Sequence, residues 1–151
     1  LICPFRGASD MRLKLLACLM LVLLAGCAQQ PPKDDSLYHA LGQRPGIQRI
    51  VEGMLIIAVK DERIGEHFKK IDIIRLRDKL VEQLCVEAGG PCKYTGDSMA
   101  EAHKGQNLTR SDFNALVEDL IDSMDAEGIS VPNQNRLIAR LAPMRGEEIE
   151  K

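Results

Sequence analysis

Helical periodicity is the feature that most restricts the fold of this chain. Apolar residues from Ile47 to Leu141 recur at spacings of three and four, which is the pattern of amphipathic helices, and no β-hairpin signal interrupts them. A first long helix, opened by Pro45-Gly46, is expected to turn one set of side chains inward: Ile47, Ile50, Val51, Met54, Leu55, Ala58 and Val59. The pattern predicts an all-α domain.

Start and stop signals define the next two helices. A second long helix is expected to begin after Asp72 as its N-cap and to end at Gly89-Gly90-Pro91. Ser98 and Glu101 have the spacing of a capping box, which opens a short helix and places Met99 and His103 on one side. The inward residues of the second long helix are Ile73, Leu76, Leu80 and Leu84.

Two further helices complete the pattern. One follows Thr109 and ends at Gly128, and the last has Pro132 in its first turn. Their inward residues are Phe113, Leu116, Val117, Leu120, Ile121 and Met124 in the first, and Leu137, Ile138 and Leu141 in the second.

The N-terminal segment has the pattern of an export signal. Met11-Arg12-Leu13-Lys14 precedes an apolar run that is too short to span a bilayer, and Leu24-Ala25-Gly26-Cys27 is similar to the lipobox of bacterial lipoproteins. Residues 11–26 are therefore predicted to be a lipoprotein signal peptide, and residues 1–10 an upstream or non-native segment. A lipid on Cys27 would hold the protein on a membrane of the bacterial envelope, facing the periplasm. The alternative, a buried helix ending at Gly26, lacks a polar face.

Beyond the signal the chain has room for one domain. Residues 27–35 are polar and contain two prolines, which predicts a tether, and residues 36–151 are left for a single folded domain. Removal of residues 1–26 takes away three basic side chains and one acidic one, and so lowers the net charge from −2 to −4. An acidic surface argues against nucleic acid as a partner.

Two cysteines, Cys85 and Cys92, are left after removal of residues 1–26 and lipidation of Cys27. Their spacing fits neither a redox motif nor a zinc site. They lie on either side of the Gly89-Gly90 stop, so the turn could bring them together in an oxidising compartment, but the distance range that a disulfide accepts is narrow. Both the bridged and the free state remain open.

One segment resembles a known family. Gly89-Gly90-Pro91, then Tyr94-Thr95-Gly96 and His103, resemble the group I truncated haemoglobins in order and spacing, and the likeness extends from about Leu37 to Met144. It includes Leu41-Gly42, Phe68, Leu108-Thr109, Phe113 and Leu141-Ala142-Pro143, although Gln43 replaces one glycine of an early pair.

The resemblance implies a shortened two-over-two helical globin with haem as its cofactor. His103 would bind the iron from the proximal side and Phe68 would stack on the porphyrin. Neutral imidazole is a good iron ligand. The resemblance also places Met99 and Phe113 on the proximal face, and Met54, Leu55, Leu76 and Leu80 on the distal face.

The chain departs from the family at the distal face. Leu55 replaces a common tyrosine and Leu80 an occasional glutamine, so both hydrogen-bond donors to a gas ligand are missing. Lys79 would either meet a haem propionate or water at the mouth of the pocket, or lose its proton and ligate the iron. Arg75 and Arg77 are interpreted as solvated or propionate-binding side chains, and His39 and His67 as solvated or locally bonded.

Three functions are compatible with these features. The first is the binding of a diatomic gas, namely oxygen, NO or CO, by a carrier, scavenger or sensor. The second is an enzyme, either a nitric oxide dioxygenase or a weak peroxidase, which would need an electron donor that the chain does not encode. The third is a haem-free helical lipoprotein that serves as an interaction module of the envelope. The leucines at positions 55 and 80 favour the first, and the lack of a distal acid or base counts against the second.

Overall fold

The computed structural model describes residues 34–148, and helices occupy most of this range. No β-strand occurs between these residues, so the predicted all-α fold is confirmed. The helices are α1 (Ser36–Ala40), α2 (Gln43–Ala58), α3 (Ile73–Glu87), α4 (Met99–Ala102), α5 (Arg110–Ala126), α6 (Val131–Leu141) and α7 (Arg145–Glu148), with 3₁₀ turns at Gly65–Phe68 and Ala142–Met144. None of those described is both long and apolar enough to cross a membrane.

The predicted signal peptide and Cys27 lie outside the described residues, as do residues 1–10 and the tether up to residue 33. The assignments made for them remain predictions.

Helix α2 is the central element of the described domain. It packs against both α3 and α5, and α6 contacts α3 and α5 in turn, so four long helices surround one core. The amphipathic patterns account for this arrangement, since each helix buries its apolar stripe. Completely buried core side chains come from helices throughout the domain: Leu37, Ile47, Val51, Cys85, Met124 and Leu137.

The predicted helix signals of α3, α4 and α5 are confirmed. The Asp72 carboxylate accepts hydrogen bonds from the backbone N–H groups of Ile74 at 3.1 Å and Arg75 at 3.0 Å. Helix α3 ends at Glu87, and Gly89 follows with a φ of 90°. Ser98 and Thr109 each form a capping box, at the starts of α4 and α5.

Helix α2 begins earlier than predicted. Its first residue is Gln43, not the Pro45-Gly46 pair, and Gly42 precedes it with a φ of 79°. Gln43 itself has a φ of 60°, so it adopts the left-handed backbone at the position where the resemblance leads one to expect a glycine. Pro45 lies in the first turn, where a missing N–H costs no intrahelical hydrogen bond.

Two residues expected to face inward are exposed. Val59 is 43% exposed because α2 ends at Ala58 and the chain turns away from the core there. Ile73 is 37% exposed because it is the first residue of α3, ahead of the part that packs on α2. Periodicity detects an apolar stripe but not where the packing partner ends.

Cys85 and Cys92 form a disulfide, which resolves the alternative left open by the sequence. Their Cα atoms are 5.9 Å apart, and the backbone N–H of Gly90 donates to the Cys85 carbonyl at 2.8 Å. The bridge ties the end of α3 to the extended segment that follows it. Closing so short a loop stabilises the fold by about 2 kcal/mol.

The beginning of the described chain is fastened to α6. The Asp34 carboxylate lies 3.4 Å from the Arg136 guanidinium and 3.5 Å from that of Arg140. Arg136 also donates to the Ser36 hydroxyl at 2.7 Å, and Arg140 donates to the Glu87 carbonyl at 2.6 Å. These two arginines join α1, α6 and the last turn of α3.

Helices α2 and α5 touch at Gly53 and Ser123. The buried Ser123 hydroxyl donates to the Ile50 carbonyl at 2.7 Å. A Cβ atom on Gly53 would lie 2.4 Å from the Ser123 Oγ, which is well inside van der Waals contact. A side chain at position 53 would therefore force the Ser123 hydroxyl out of its present position between the two helices.

We expect Gly53→Ala to destabilise the protein by about 1 kcal/mol, because overpacking costs about 1–3 kcal/mol while the gain in helix propensity is about 1 kcal/mol. Chemical denaturation measures the change. In a Ser123→Ala background the clash is removed, so the same substitution should become neutral or stabilising. Gly146→Ala is the matched control, since Gly146 lies in α7 and a Cβ atom added there would have no neighbour within 4 Å. Equal effects of Gly53→Ala in both backgrounds would contradict the close contact.

Candidate functional site

An open cavity of about 350 Å³ lies between α2, α3, α4 and the start of α5. Its size is within the usual range of small-molecule and cofactor pockets. The structure brings together along its walls all nine residues that the sequence placed around a cofactor: Met54, Leu55, Phe68, Leu76, Lys79, Leu80, Met99, His103 and Phe113.

One wall of the cavity is apolar. Met54 and Leu55 come from α2 and are 3% and 5% exposed, while Leu76 and Leu80 come from α3 and are half-buried. None of these four side chains can donate a hydrogen bond. A ligand against this wall would be held by packing alone.

His103 lies at the C-terminal end of α4, and its side chain lines the cavity. Its Nδ1 is 2.8 Å from the Met99 carbonyl oxygen. A carbonyl oxygen only accepts, so Nδ1 carries the proton and, in the neutral ring, Nε2 keeps a lone pair. A hydrogen bond of this kind also fixes the ring orientation, as is usual for metal-binding histidines.

His67 is a second imidazole in the cavity wall. Its Nε2 lies 3.7 Å from the Asp112 carboxylate, which also accepts from the Thr109 backbone N–H at 2.8 Å. The backbone and hydroxyl of Thr109, and then His67, hold the pKa of Asp112 below its usual value. The Nε2 of His67 thus faces a carboxylate, whereas no described residue within hydrogen-bond distance faces the Nε2 of His103. His39 is exposed and pairs with Asp35 at 3.3 Å, outside the cavity.

A polar network occupies one edge of the cavity. The Lys79 ammonium lies 3.2 Å from the Glu82 carboxylate and donates to the Thr95 hydroxyl. Thr95 in turn donates to Glu82 from its hydroxyl at 2.8 Å and from its backbone N–H at 2.9 Å. These two bonds, and then Lys79, hold the pKa of Glu82 below its usual value. Lys79 is therefore engaged at the edge.

Arg75 and Arg77, near the start of α3, differ in their surroundings. Arg75 lines the cavity and is exposed, and it has no ion-pair partner within residues 34–148. Arg77 is not part of the cavity wall and pairs with Asp78 at 2.7 Å and Glu52 at 3.6 Å. Arg75 is thus the arginine that is available to an anionic group at the cavity mouth.

Several cavity residues are not identified by the sequence patterns. Gln83 lies one turn beyond Leu80 on the same face of α3, so helical spacing could have found it. Its amide nitrogen contacts the sulfur atoms of Met144 at 3.0 Å and Met99 at 3.4 Å. Asp72 is expected only as a helix cap, and Tyr94 and Leu108 only as parts of the family resemblance. No sequence signal identifies the others, which lie mainly in loops and at helix ends: Ile64, Ile71, Gln106 and Asp112.

The arrangement suits one kind of ligand. An apolar interior, a single imidazole with a free Nε2 and cations at the edge fit a large flat apolar ring that carries a metal and has anionic groups at its rim. Phe68 and Phe113 add flat surfaces for such a ring to pack on.

Comparisons with known proteins agree with this description. Residues 36–149 match the model of the bacterial-like globin family. The group 1 truncated hemoglobin of Tetrahymena thermophila is 31% identical over 98 residues, which are 65% of this chain and 81% of that protein. A group 1 truncated hemoglobin of Mycolicibacterium paratuberculosis is 28% identical over 112 residues, covering 74% of this chain and 82% of the relative.

The solved structures give the same result. The truncated hemoglobin of Tetrahymena pyriformis in its Fe(III) form superposes with a TM-score of 0.74 at 28% identity, covering 76% of this chain and 98% of that one. The predicted two-over-two architecture is thereby confirmed.

Proposed function

The chain belongs to the bacterial-like globin family, as a group I truncated globin with haem as its cofactor, and on that premise we propose that His103 is the proximal iron ligand and that the apolar face opposite binds a diatomic gas. The observation that carries the proposal is the hydrogen bond from His103 Nδ1 to the Met99 carbonyl at 2.8 Å. It leaves Nε2 as the ring atom with a lone pair, inside a cavity of suitable size.

Different residues of the cavity would contact different parts of haem. Phe68, Met99 and Phe113 supply apolar contact to the ring, while Arg75 and Lys79 at the mouth are placed to pair with its propionates. When bound, haem supplies an iron atom that binds oxygen, NO or CO reversibly. The protein's own contribution is to fix the ring, exclude water and leave an apolar space for the gas.

Gas binding is favoured over catalysis by the composition of the distal wall. A dioxygenase or peroxidase benefits from a hydrogen-bond donor or an acid–base group beside the reacting gas, and Leu55, Leu76 and Leu80 offer none. The amide of Gln83, which also lines the cavity, is in contact with two methionine sulfurs. Lys79 is held by Glu82 and Thr95, which supports a role at the propionate edge instead of at the iron.

We further propose that this globin is held at the bacterial envelope by a lipid on Cys27, facing the periplasm. The support is the sequence from Met11 to Cys27, with its basic start, short apolar run and lipobox. The disulfide between Cys85 and Cys92 is consistent with an oxidising compartment.

His103→Ala should abolish stoichiometric haem binding and leave a helical chain, because the free Nε2 is removed. The Soret absorbance per protein molecule measures haem content, and circular dichroism measures the helices. His67→Ala is the matched control, since it removes the other imidazole of the wall and should retain haem. Haem loss in the His67 variant with retention in His103→Ala would reverse the assignment.

Leu55→Tyr should slow oxygen dissociation by roughly ten- to a hundredfold, because a hydroxyl donor to the gas contributes about 1–3 kcal/mol. Stopped-flow displacement of oxygen by CO gives the rate. An unchanged oxygen dissociation rate in Leu55→Tyr would place Leu55 away from the gas.

Lys79→Ala tests the position of the lysine. If Lys79 lies at the edge of the cavity, the ferric spectra of the parent and of this variant should both remain high-spin as pH rises.

Cys27→Ala should produce a chain without lipid that is either released from membranes or left unprocessed. Mass spectrometry of the parent protein should show cleavage before Cys27 and an acylated N-terminus. A soluble, unacylated parent would disprove the anchor without affecting the haem site.

A further inference from the structure

Exposed apolar side chains concentrate at one corner of the described domain. Six large apolar side chains are exposed within residues 34–148, and five of them lie where α2 gives way to α3. We call these five the isoleucine edge: Ile56 at 58% exposed, Val59 at 43%, Ile71 at 36%, Ile73 at 37% and Ile74 at 62%. The sixth, Val131 at 61%, stands at the start of α6.

An ion pair between α2 and α3 brings together the helix faces that carry Ile56 and Ile73. Glu52 of α2 and Arg77 of α3 pair at 3.6 Å across the two helices. Ile56 lies one turn beyond Glu52 and Ile73 one turn before Arg77, so both stand on the same faces, nearer the connecting loop. Val59 and Ile71 lie at the two ends of the segment that joins α2 to α3.

The charges around this surface leave an excess of free cations. Lys60 and Lys70 are exposed and have no ion-pair partner within residues 34–148, whereas Arg75, also unpaired there, is the side chain that we place at the haem propionates. Most of the neighbouring acids are engaged: Asp61 pairs with Arg63, Glu66 with Lys69 and Asp78 with Arg77, while Asp72 caps α3. Of the acids between residues 60 and 78, Glu62 alone makes no such contact.

We propose that the isoleucine edge docks on an anionic lipid surface. Exposed apolar side chains near the unpaired lysines Lys60 and Lys70 are what binding at a membrane interface requires: the apolar groups enter the acyl boundary while the cations meet the headgroups. The cations supply the charge complementarity that selects anionic lipid.

Docking in this way would turn the cavity mouth to the lipid. Ile71, Asp72 and Arg75 belong both to this corner and to the cavity wall. Diatomic gases are apolar or nearly so and are more soluble in hydrocarbon than in water, because opening space for them in water is costly. Gas would thus reach the cavity from the membrane; this consequence rests on the proposed gas binding, whereas the docking itself does not.

Amide hydrogen exchange on the full haem-loaded chain tests the docking. With phosphatidylglycerol vesicles, amides of residues 59–72 should exchange at least about threefold more slowly, and with phosphatidylcholine vesicles they should not change. The local measurement is independent of any lipid on Cys27. Ile56→Ser combined with Ile74→Ser should remove the protection, and neither residue lines the cavity. Val131→Ser is the matched control, since its side chain is as exposed as that of Ile74.

Three outcomes would overturn the proposal: no protection by phosphatidylglycerol, equal protection by phosphatidylcholine, or protection that persists in the double serine variant. Protection that grows with protein concentration in the absence of vesicles would assign the edge to a second copy of the chain instead. The Soret absorbance of each variant is recorded alongside, so a failure of haem binding is distinguished from a failure of docking.

Discussion

The hydrogen bond from the Ser123 hydroxyl to the Ile50 carbonyl joins the two helices on which the site depends. The hydroxyl fits there because Gly53 has no Cβ atom, which would overlap the Ser123 Oγ. Met54 and Leu55 follow Gly53 directly, and Leu116 lies about two turns before Ser123, so the cavity walls on both helices are set by this contact. A wider crossing would move the apolar wall away from the start of α5, where Phe113 lies.

The parts of the fold that the sequence predicts well are those governed by nearby residues. Asp72 caps α3 through backbone groups two and three residues away, and the Ser98 capping box is equally local, so short patterns suffice to locate them. The start of α2 is different, because Gln43 adopts a left-handed backbone that residue type does not favour. The exposure of Val59 and Ile73 also escapes prediction, since it depends on where α2 and α3 part.

The residues of the site also divide into those that the sequence predicts and those whose contacts depend on the folded chain. Leu55, Leu80 and His103 are placed by family resemblance, and they line one cavity in the structure. The contacts that decide how other groups behave span the folded chain: Thr95 reaches Glu82 and Lys79, and Asp112 reaches His67. Such contacts leave no periodic trace in the sequence. These contacts nevertheless distinguish His67 from His103 and hold Lys79 at the edge of the cavity. The function could therefore be outlined from the sequence, but the polar details of the site could not.

The fastening of Asp34 also has a mechanical meaning. A pull on the chain ahead of residue 34 would be passed through Asp34 to Arg136 and Arg140, and so into α6 and the last turn of α3 at Glu87. The disulfide between Cys85 and Cys92 braces that same end of α3 with a covalent bond. His103 lies at the end of α4, outside this path, and Leu76 and Leu80 lie on α3 about two to three turns before Glu87. A globin pulled from its N-terminal side would therefore take up tension first at the end of the helix bundle that is farther along the chain from its apolar wall.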